Sequence, residues 1–407
     1  MTRAQTSNYL DRTTPPHIST LILLAGLSAL AMNIFLPSLP GMTAYFNTEY
    51  RLIQLSVALY LGVNAGLQLL MGPISDRWGR RPVILWGLGL FLVATLGCIF
   101  APNITVFLTF RMVQASVVVA MVLSRAIVRD MVPQDRAASM IGYVTMGMAV
   151  VPMIGPAFGG LLDEAFGWQA NFWALFVLGA ALFVVCWRDL GETAPLTGRT
   201  LMQQFRDYPA LLTSRRFWGY ALAAGLSSGA FFAYLGGAPF VGDRVFGLPP
   251  STLGLLFGAP AIGYFLGNFA SGRFSMRIGV NRMVLWGTLF NAGGIALNLT
   301  LFLVGLGTPF TFFGLMTFMG LGNGMVIPNA TAGALSIRPD LAGTASGLSG
   351  ALMIGIGAGL SALAGTLLTP GSGAYALLGL MLSTALAAIV TILAVIRRER
   401  RLGLSPK

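Results

Sequence analysis

The segment Gly72-Pro73-Ile74-Ser75-Asp76-Arg77-Trp78-Gly79-Arg80-Arg81 gathers one carboxylate and three guanidiniums between two long uncharged runs. Side chains of this kind form charge-assisted pairs, and a carboxylate also suits the positive N-terminus of a neighbouring helix. The chemistry on offer is electrostatic latching rather than bond breaking. A second candidate is Arg111, the only charge well inside an apolar segment, with Gln114 three residues on and so on the same helical face. A charge at such depth is costly and usually faces a wet cavity. The alternative is a side chain that snorkels to the outer surface, roughly 10 Å away. Residues for covalent or metal chemistry are scarce. There is one histidine, His17, at the edge of an apolar run, and two cysteines, Cys98 and Cys186, lie far apart without a CxxC or Cys/His spacing. The adjacent carboxylates Asp163 and Glu164 simply end an apolar run. These residues predict no catalytic group, no metal site and no cofactor, and argue against a membrane enzyme.

The elements that position these residues follow from composition. Of 407 residues, 56% are hydrophobic and 9% charged, against about a quarter charged in soluble domains. This is the composition of a polytopic membrane protein. The net charge of +12 does not point to nucleic acid, because the basic residues sit between apolar segments rather than along one face. Twelve apolar segments are predicted, at 18–39, 51–72, 82–101, 104–126, 137–162, 168–188, 217–240, 252–271, 282–305, 309–330, 341–368 and 374–396. Residues 1–17 are polar and lead straight into a full span, so no cleavable leader is expected. Segments on one side of the expected membrane hold 22 of the 25 basic residues, while the other side holds Arg51 and Arg244. That asymmetry predicts two cytoplasmic termini.

The halves repeat. At an offset of 200 residues, Gly72, Ser75, Arg77, Gly79, Leu85, Trp86 and Gly87 recur as Gly272, Ser275, Arg277, Gly279, Leu285, Trp286 and Gly287. A tandem duplication of a six-span unit accounts for this. The expected organisation is a tail (1–17), a six-helix bundle (18–188), a linker (189–216), a second bundle (217–396) and a tail (397–407). Asp76 is not duplicated, since Met276 stands at its equivalent. It is therefore expected to do something beyond shaping a turn.

The segment from Gly72 to Arg81 resembles the loop 2–3 signature of the major facilitator superfamily, and the six-plus-six duplication matches that superfamily's plan along the whole chain. The superfamily is itself a known case of parallel repeats around a midplane site. Gly147, Pro152, Gly155, Pro156, Gly159 and Gly160 resemble its antiporter signature in span 5, where small residues and prolines allow close packing and bending. Arg111 with Gln114 resembles the arginine signature of drug exporters, with Ala115 in place of the usual glycine. Ala31-Met32-Asn33-Ile34-Phe35-Leu36-Pro37-Ser38-Leu39-Pro40 and Arg125-Ala126-Ile127-Val128-Arg129-Asp130 are similar to the Bcr/CflA group of bacterial drug exporters.

The resemblance implies an all-α membrane protein of the major facilitator fold, with twelve transmembrane helices in two bundles, working in the bacterial inner membrane as a monomer. It implies export of small amphipathic compounds by alternating access, coupled to protons; a carrier for an organic anion, sugar or other nutrient is the alternative. Gly72, Asp76, Arg77, Gly79, Arg80, Arg129 and Asp130 would form a conformational switch, with Asp76 facing the start of span 11. Asn33, Asn64, Arg111, Gln114, Phe231, Tyr234 and Asn323 would line the substrate site. One departure affects energetics. The group usually has an acid in span 1 where this chain has Asn33, and all thirteen carboxylates lie in tails, loops or span ends. A coupled proton would then have to use Asp76, Asp130, Asp163 or Glu164, or travel on the substrate.

Overall fold

The computed structural model describes residues 9–131, 151, 154–193, 208–338, 341–369 and 371–403, apart from the side chains of 73, 129, 342 and 343. Eleven helices among these residues are long and apolar enough to cross a membrane. The first half supplies Ile18–Tyr45, Tyr50–Gly72, Arg80–Ile99, Ile104–Val128 and Gln169–Asp189. The second half supplies Arg215–Val245, Pro250–Ile278, Val280–Leu303, Pro309–Leu335, Thr344–Leu367 and Gly373–Arg401. Span 5, expected at 137–162, is helical over its described part, 154–166. Gly147 and Pro152 lie outside the described residues.

Local signals set the helix ends. Asn103 caps span 4 by accepting from the Val106 N–H at 3.0 Å, and Thr308 with Thr311 forms a capping box at span 10. Gly79 and Gly279 end spans 2 and 8 at φ of +93° and +89°, a region that glycine enters without a Cβ clash. The duplicated glycines thus make the same turn twice.

Each half is closed at the end that carries the arginine-rich loops, here called the basic end. Asp189, the last residue of span 6 and fully buried, accepts the Leu10 and His17 backbone N–H groups at 2.7 and 3.0 Å. The His17 ring in turn caps span 1 by accepting from the Ser19 N–H. Glu192 accepts the backbone N–H of Arg80 at 2.8 Å and of Arg81 at 3.3 Å, holding loop 2–3 against the start of the linker. In the second half a single buried carboxylate, Glu399, does the equivalent work. It accepts from Arg216 at 2.5 Å, from Asn281 at 2.5 Å and from the Tyr220 hydroxyl at 3.0 Å. Expected to lie in a tail, Glu399 belongs instead to span 12, which continues as helix to Arg401.

At the opposite end the halves meet. The Tyr50 hydroxyl donates to the Gly236 carbonyl at 2.7 Å, and Gln54 of span 2 donates to the Ser361 hydroxyl of span 11 at 2.9 Å. Gly160 of span 5 sits so near the Pro250 carbonyl that a Cβ would collide with it, and Gly254 likewise meets the Pro156 carbonyl. Gly159 abuts the Ile34 carbonyl in the same way, and Gly155 approaches the Leu30 side chain. The glycines of the expected antiporter helix thus bring span 5 against span 1 within its half and against span 8 across the halves.

Candidate functional site

A cavity of about 510 Å³ lies between the halves. Its walls come from spans 1, 2 and 4 on one side and from spans 7, 8, 10 and 11 on the other. Asn33, Phe231, Phe257 and Asn323 stand at mid-bundle, and the lining continues toward the basic end through Arg125, Tyr264, Asn268 and Tyr220. Arg125 is the only formally charged side chain among the described lining residues. Most of the wall is apolar or aromatic, with a few uncharged polar groups. A volume and character of this kind suit a small amphipathic ligand.

The polar groups at the centre are tethered unevenly. Asn323 accepts from the Ser227 hydroxyl at 2.8 Å, and Asn291 donates to Ser227 from behind at 3.1 Å. That chain fixes one wall. Asn33, 2% exposed, donates to the Ala29 carbonyl one turn back at 2.7 Å. Its side-chain oxygen has no partner among the described residues. A buried acceptor left unpaired is unfavourable by about 1–3 kcal/mol, so Asn33 is the lining group with most to gain from a donor on a ligand or water.

Of the residues expected to line the site, Asn33, Phe231 and Asn323 do so, while Asn64, Gln114, Arg111 and Tyr234 lie outside the described lining. Asn64 is buried behind Gln68, which donates to it at 2.9 Å and itself lines the cavity. Tyr234 is fully buried with its ring 4.7 Å from that of Phe257. Arg111 is 1% exposed. Its guanidinium donates to the Ala31 carbonyl at 2.9 Å, to the Ser56 carbonyl at 3.4 Å and to the Gln114 side chain. It lies over the rings of Tyr60 and Phe35 at 4.1 and 4.3 Å. Gln114 passes the network on to Thr95 at 2.8 Å. Arg111 therefore ties spans 1, 2 and 4 together inside the first half, and Gln114 adds span 3. It is neither a snorkelling side chain nor part of the described cavity wall.

Sequence reasoning missed Arg125, Tyr264, Asn268 and Gln68. Arg125 was assigned to the end of span 4, but the helix continues to Met131 and so carries it along the cavity. Gln68 had a visible signal, one helical turn from Asn64.

The loop 2–3 residues form a cluster around Arg80. This side chain pairs with Asp76 at 2.6 Å and Asp130 at 3.1 Å, and donates to the Ser75 hydroxyl. Arg77 is exposed, and the Arg129 side chain lies outside the described set. Gly72 has open space around its Cα, whereas Gly79 packs against the Glu192 carboxylate. Asp76 lies in the last turn of one helix and Arg80 begins the next, so it is the reversal at Gly79, with its φ of +93°, that brings the two side chains together.

Bundled helices of bilayer length around a central cavity, with Arg125 the one charged side chain among its described lining residues, define a membrane transporter. A profile of the Major Facilitator Superfamily matches residues 21–249 and 243–407, and the chain belongs to that family. It is 31% identical over 366 residues to multidrug resistance protein D of Escherichia coli, covering 88% of this chain and 90% of that one. It is 31% identical over 350 residues to a chloramphenicol resistance protein of Pseudomonas aeruginosa, covering 83% of each. These relatives are of the Bcr/CflA kind. Among solved structures, a bacterial homolog of the human lysosomal transporter Spinster superposes with a TM-score of 0.71 over 93% of this chain and 96% of its own, at 16% identity. That likeness speaks for the fold alone.

Proposed function

We propose that this transporter exports small, neutral amphipathic compounds of the amphenicol type across the inner membrane by alternating access, with both termini cytoplasmic and the monomer as the working unit. The observation that carries the reading is the cavity: about 510 Å³, aromatic at its centre, polar without carboxylates among its described lining residues. The basic end is then the cytoplasmic end. Contacts through Tyr50, Gln54, Gly160 and Gly254 close the outer end, so the conformation is inward-facing. Arg125 supports a second reading, a carrier for organic anions. Efflux from proteoliposomes of an amphenicol against an aromatic carboxylate separates the two; transport of the carboxylate alone would reverse the order of preference.

Asp76 is proposed as half of the inner latch. Along the seam between spans 2 and 11, Gln54 meets Gly365, Ala65 meets Gly355 and Gln68 meets Gly350. In the state closed at the basic end, that antiparallel register continued inward would bring Asp76 opposite the first turn of span 11, where the helix dipole favours a carboxylate by about 1 kcal/mol. Asp76→Asn also loses the charge that holds Arg80. It is expected to insert and fold normally yet transport at roughly a tenth of the wild-type rate; full activity at equal expression would remove Asp76 from the switch.

For coupling, Asp163 is the favoured carboxylate. It stands in the last turn of the span 5 helix, beyond the apolar run that ends at 162, where burial raises its carboxyl above the usual carboxylate range, a hydrogen bond with the Ser38 hydroxyl opposes this, and the neighbouring Glu164 charge adds to it. A carboxyl raised in the folded state favours folding while protonated. That contribution is present below the unfolded value and is lost as pH rises through the folded one. Thermal stability from weakly acidic conditions to neutrality should therefore decline in the wild type more than in Asp163→Asn, and Asp163→Asn should flatten the pH dependence of efflux. Identical pH profiles would move coupling to the substrate itself.

A further inference from the structure

Spans 7 and 12 meet at the basic end in a second groove, of about 510 Å³, which shares no lining residue with the central cavity. Its floor is apolar. Gly219 of span 7 lies so close to Val395 of span 12 that a Cβ would collide, and Leu222, Thr391 and Ala394 extend the floor into the membrane-spanning part. Its rim is made of Arg215, Arg216, Arg397, Arg398 and Arg401, with Trp218 beside them. The Trp218 indole donates to the Leu212 carbonyl at 2.7 Å, and a tryptophan beside basic residues is the pattern of a membrane–water interface.

Of the five charges on this rim, only that of Arg216 has a carboxylate partner among the described residues. Glu399 is the carboxylate nearest in sequence to Arg397, Arg398 and Arg401, but it is 5% exposed and its oxygens are taken up by Arg216, Tyr220 and Asn281. Arg215, Arg397, Arg398 and Arg401 make no ion pair among the described residues. Cations at the end of a helix answer its dipole, and basic residues accumulate on one side of a membrane. Neither effect explains why they converge on an apolar slot from two helices that are far apart in sequence.

We propose that this groove is a binding site for an anionic phospholipid of the adjoining leaflet. The phosphate would lie against Arg215, Arg397, Arg398 and Arg401, whose planar guanidiniums match phosphate oxygens. An acyl chain would follow Gly219, Leu222 and Ala394 down the groove. Basic pockets between helices at a membrane face hold such headgroups. Free inorganic phosphate offers the same headgroup chemistry without the chain, so the apolar floor decides between the two sources.

The test is native mass spectrometry of the purified full-length protein with phosphatidylglycerol, cardiolipin, phosphatidylethanolamine or inorganic phosphate added to the detergent. The expected result is retention of the two anionic lipids well above the zwitterionic one, with no competition by phosphate. Arg397→Gln/Arg398→Gln/Arg401→Gln should weaken that retention at least tenfold, since one interfacial arginine is worth about fivefold. Ala394→Phe, which leaves every charge in place and fills the floor, should weaken it several-fold, while Arg277→Gln/Arg282→Gln at the same end but outside the groove should not. Equal retention of all lipids, an equal loss in the Arg277/Arg282 control, or displacement by phosphate would overturn the proposal. The reading is lipid bound per protein in monodisperse material, so a transport defect does not enter it.

Discussion

Arg111→Lys is expected to lower efflux to below a tenth of wild type, and Arg111→Ala to reduce the yield of folded protein as well. The guanidinium makes three separate donations, to Ala31, Ser56 and Gln114, while both faces are covered by the rings of Phe35 and Tyr60. An ammonium is compact and cannot fill a flat slot between two rings while reaching three acceptors on two other helices and its own. Lysine keeps the charge but leaves part of that polar network unpaired. Alanine removes the charge, opens a cavity and takes the donor away from Gln114 and the Ala31 carbonyl, with an expected loss of about 2–5 kcal/mol. The measurement is transport per correctly inserted molecule together with thermal stability in detergent. Wild-type transport by the lysine variant would mean that only charge matters at this position, and the clamp across spans 1, 2 and 4 would have to be abandoned.

Asn33→Asp should convert a transporter that handles lipophilic monocations poorly into one that exports them with a marked pH dependence. The side chain is buried on the cavity wall with its oxygen unpartnered, and the only charge among the described lining residues is Arg125. The described wall therefore offers a cation no carboxylate to pair with, which disfavours cations. A carboxylate at this position would supply that partner and offer one group for which proton and cation compete. Uptake of tetraphenylphosphonium into inverted proteoliposomes should be near background for wild type, and should rise severalfold in the variant as the external medium is made more alkaline. Strong proton-driven transport of the cation by the unmutated protein would mean that a carboxylate elsewhere performs this task.

The spans were legible because each is an apolar run of bilayer length, and the duplication because turn residues recur at a fixed offset. Element ends were less so. Span 12 outruns its apolar stretch to Arg401, since its last turn is charged and apolarity cannot mark where a helix stops at a membrane surface. The site was legible in part. Ser227, Phe231 and Tyr234 share a helical stripe, yet Phe231 reaches the cavity while Tyr234 is packed beneath Phe257 and Phe313. Spacing gives the face of a helix but not what covers it. Arg111 and Arg125 show the same limit. A charge deep in an apolar run looks like a ligand group, whereas one near its end looks like a membrane anchor; the packing of spans 1, 2 and 4 around Arg111 reverses the first reading, and the continuation of the helix to Met131 reverses the second.

The two halves close their basic ends by different means, and this bears on how freely each can change over generations. In the first, Asp189 and Glu192 accept from backbone N–H groups of Leu10, His17, Arg80 and Arg81, donors that nearly every residue type supplies. In the second, Glu399 depends on the side chains of Arg216, Tyr220 and Asn281. Sequence drift at the first set of donors leaves the closure intact. At the second, a change in any one partner removes a donor from a buried carboxylate, so drift at one position favours compensating change at another. Two copies of one ancestral unit have thereby come to differ in mutational tolerance while keeping the same shape.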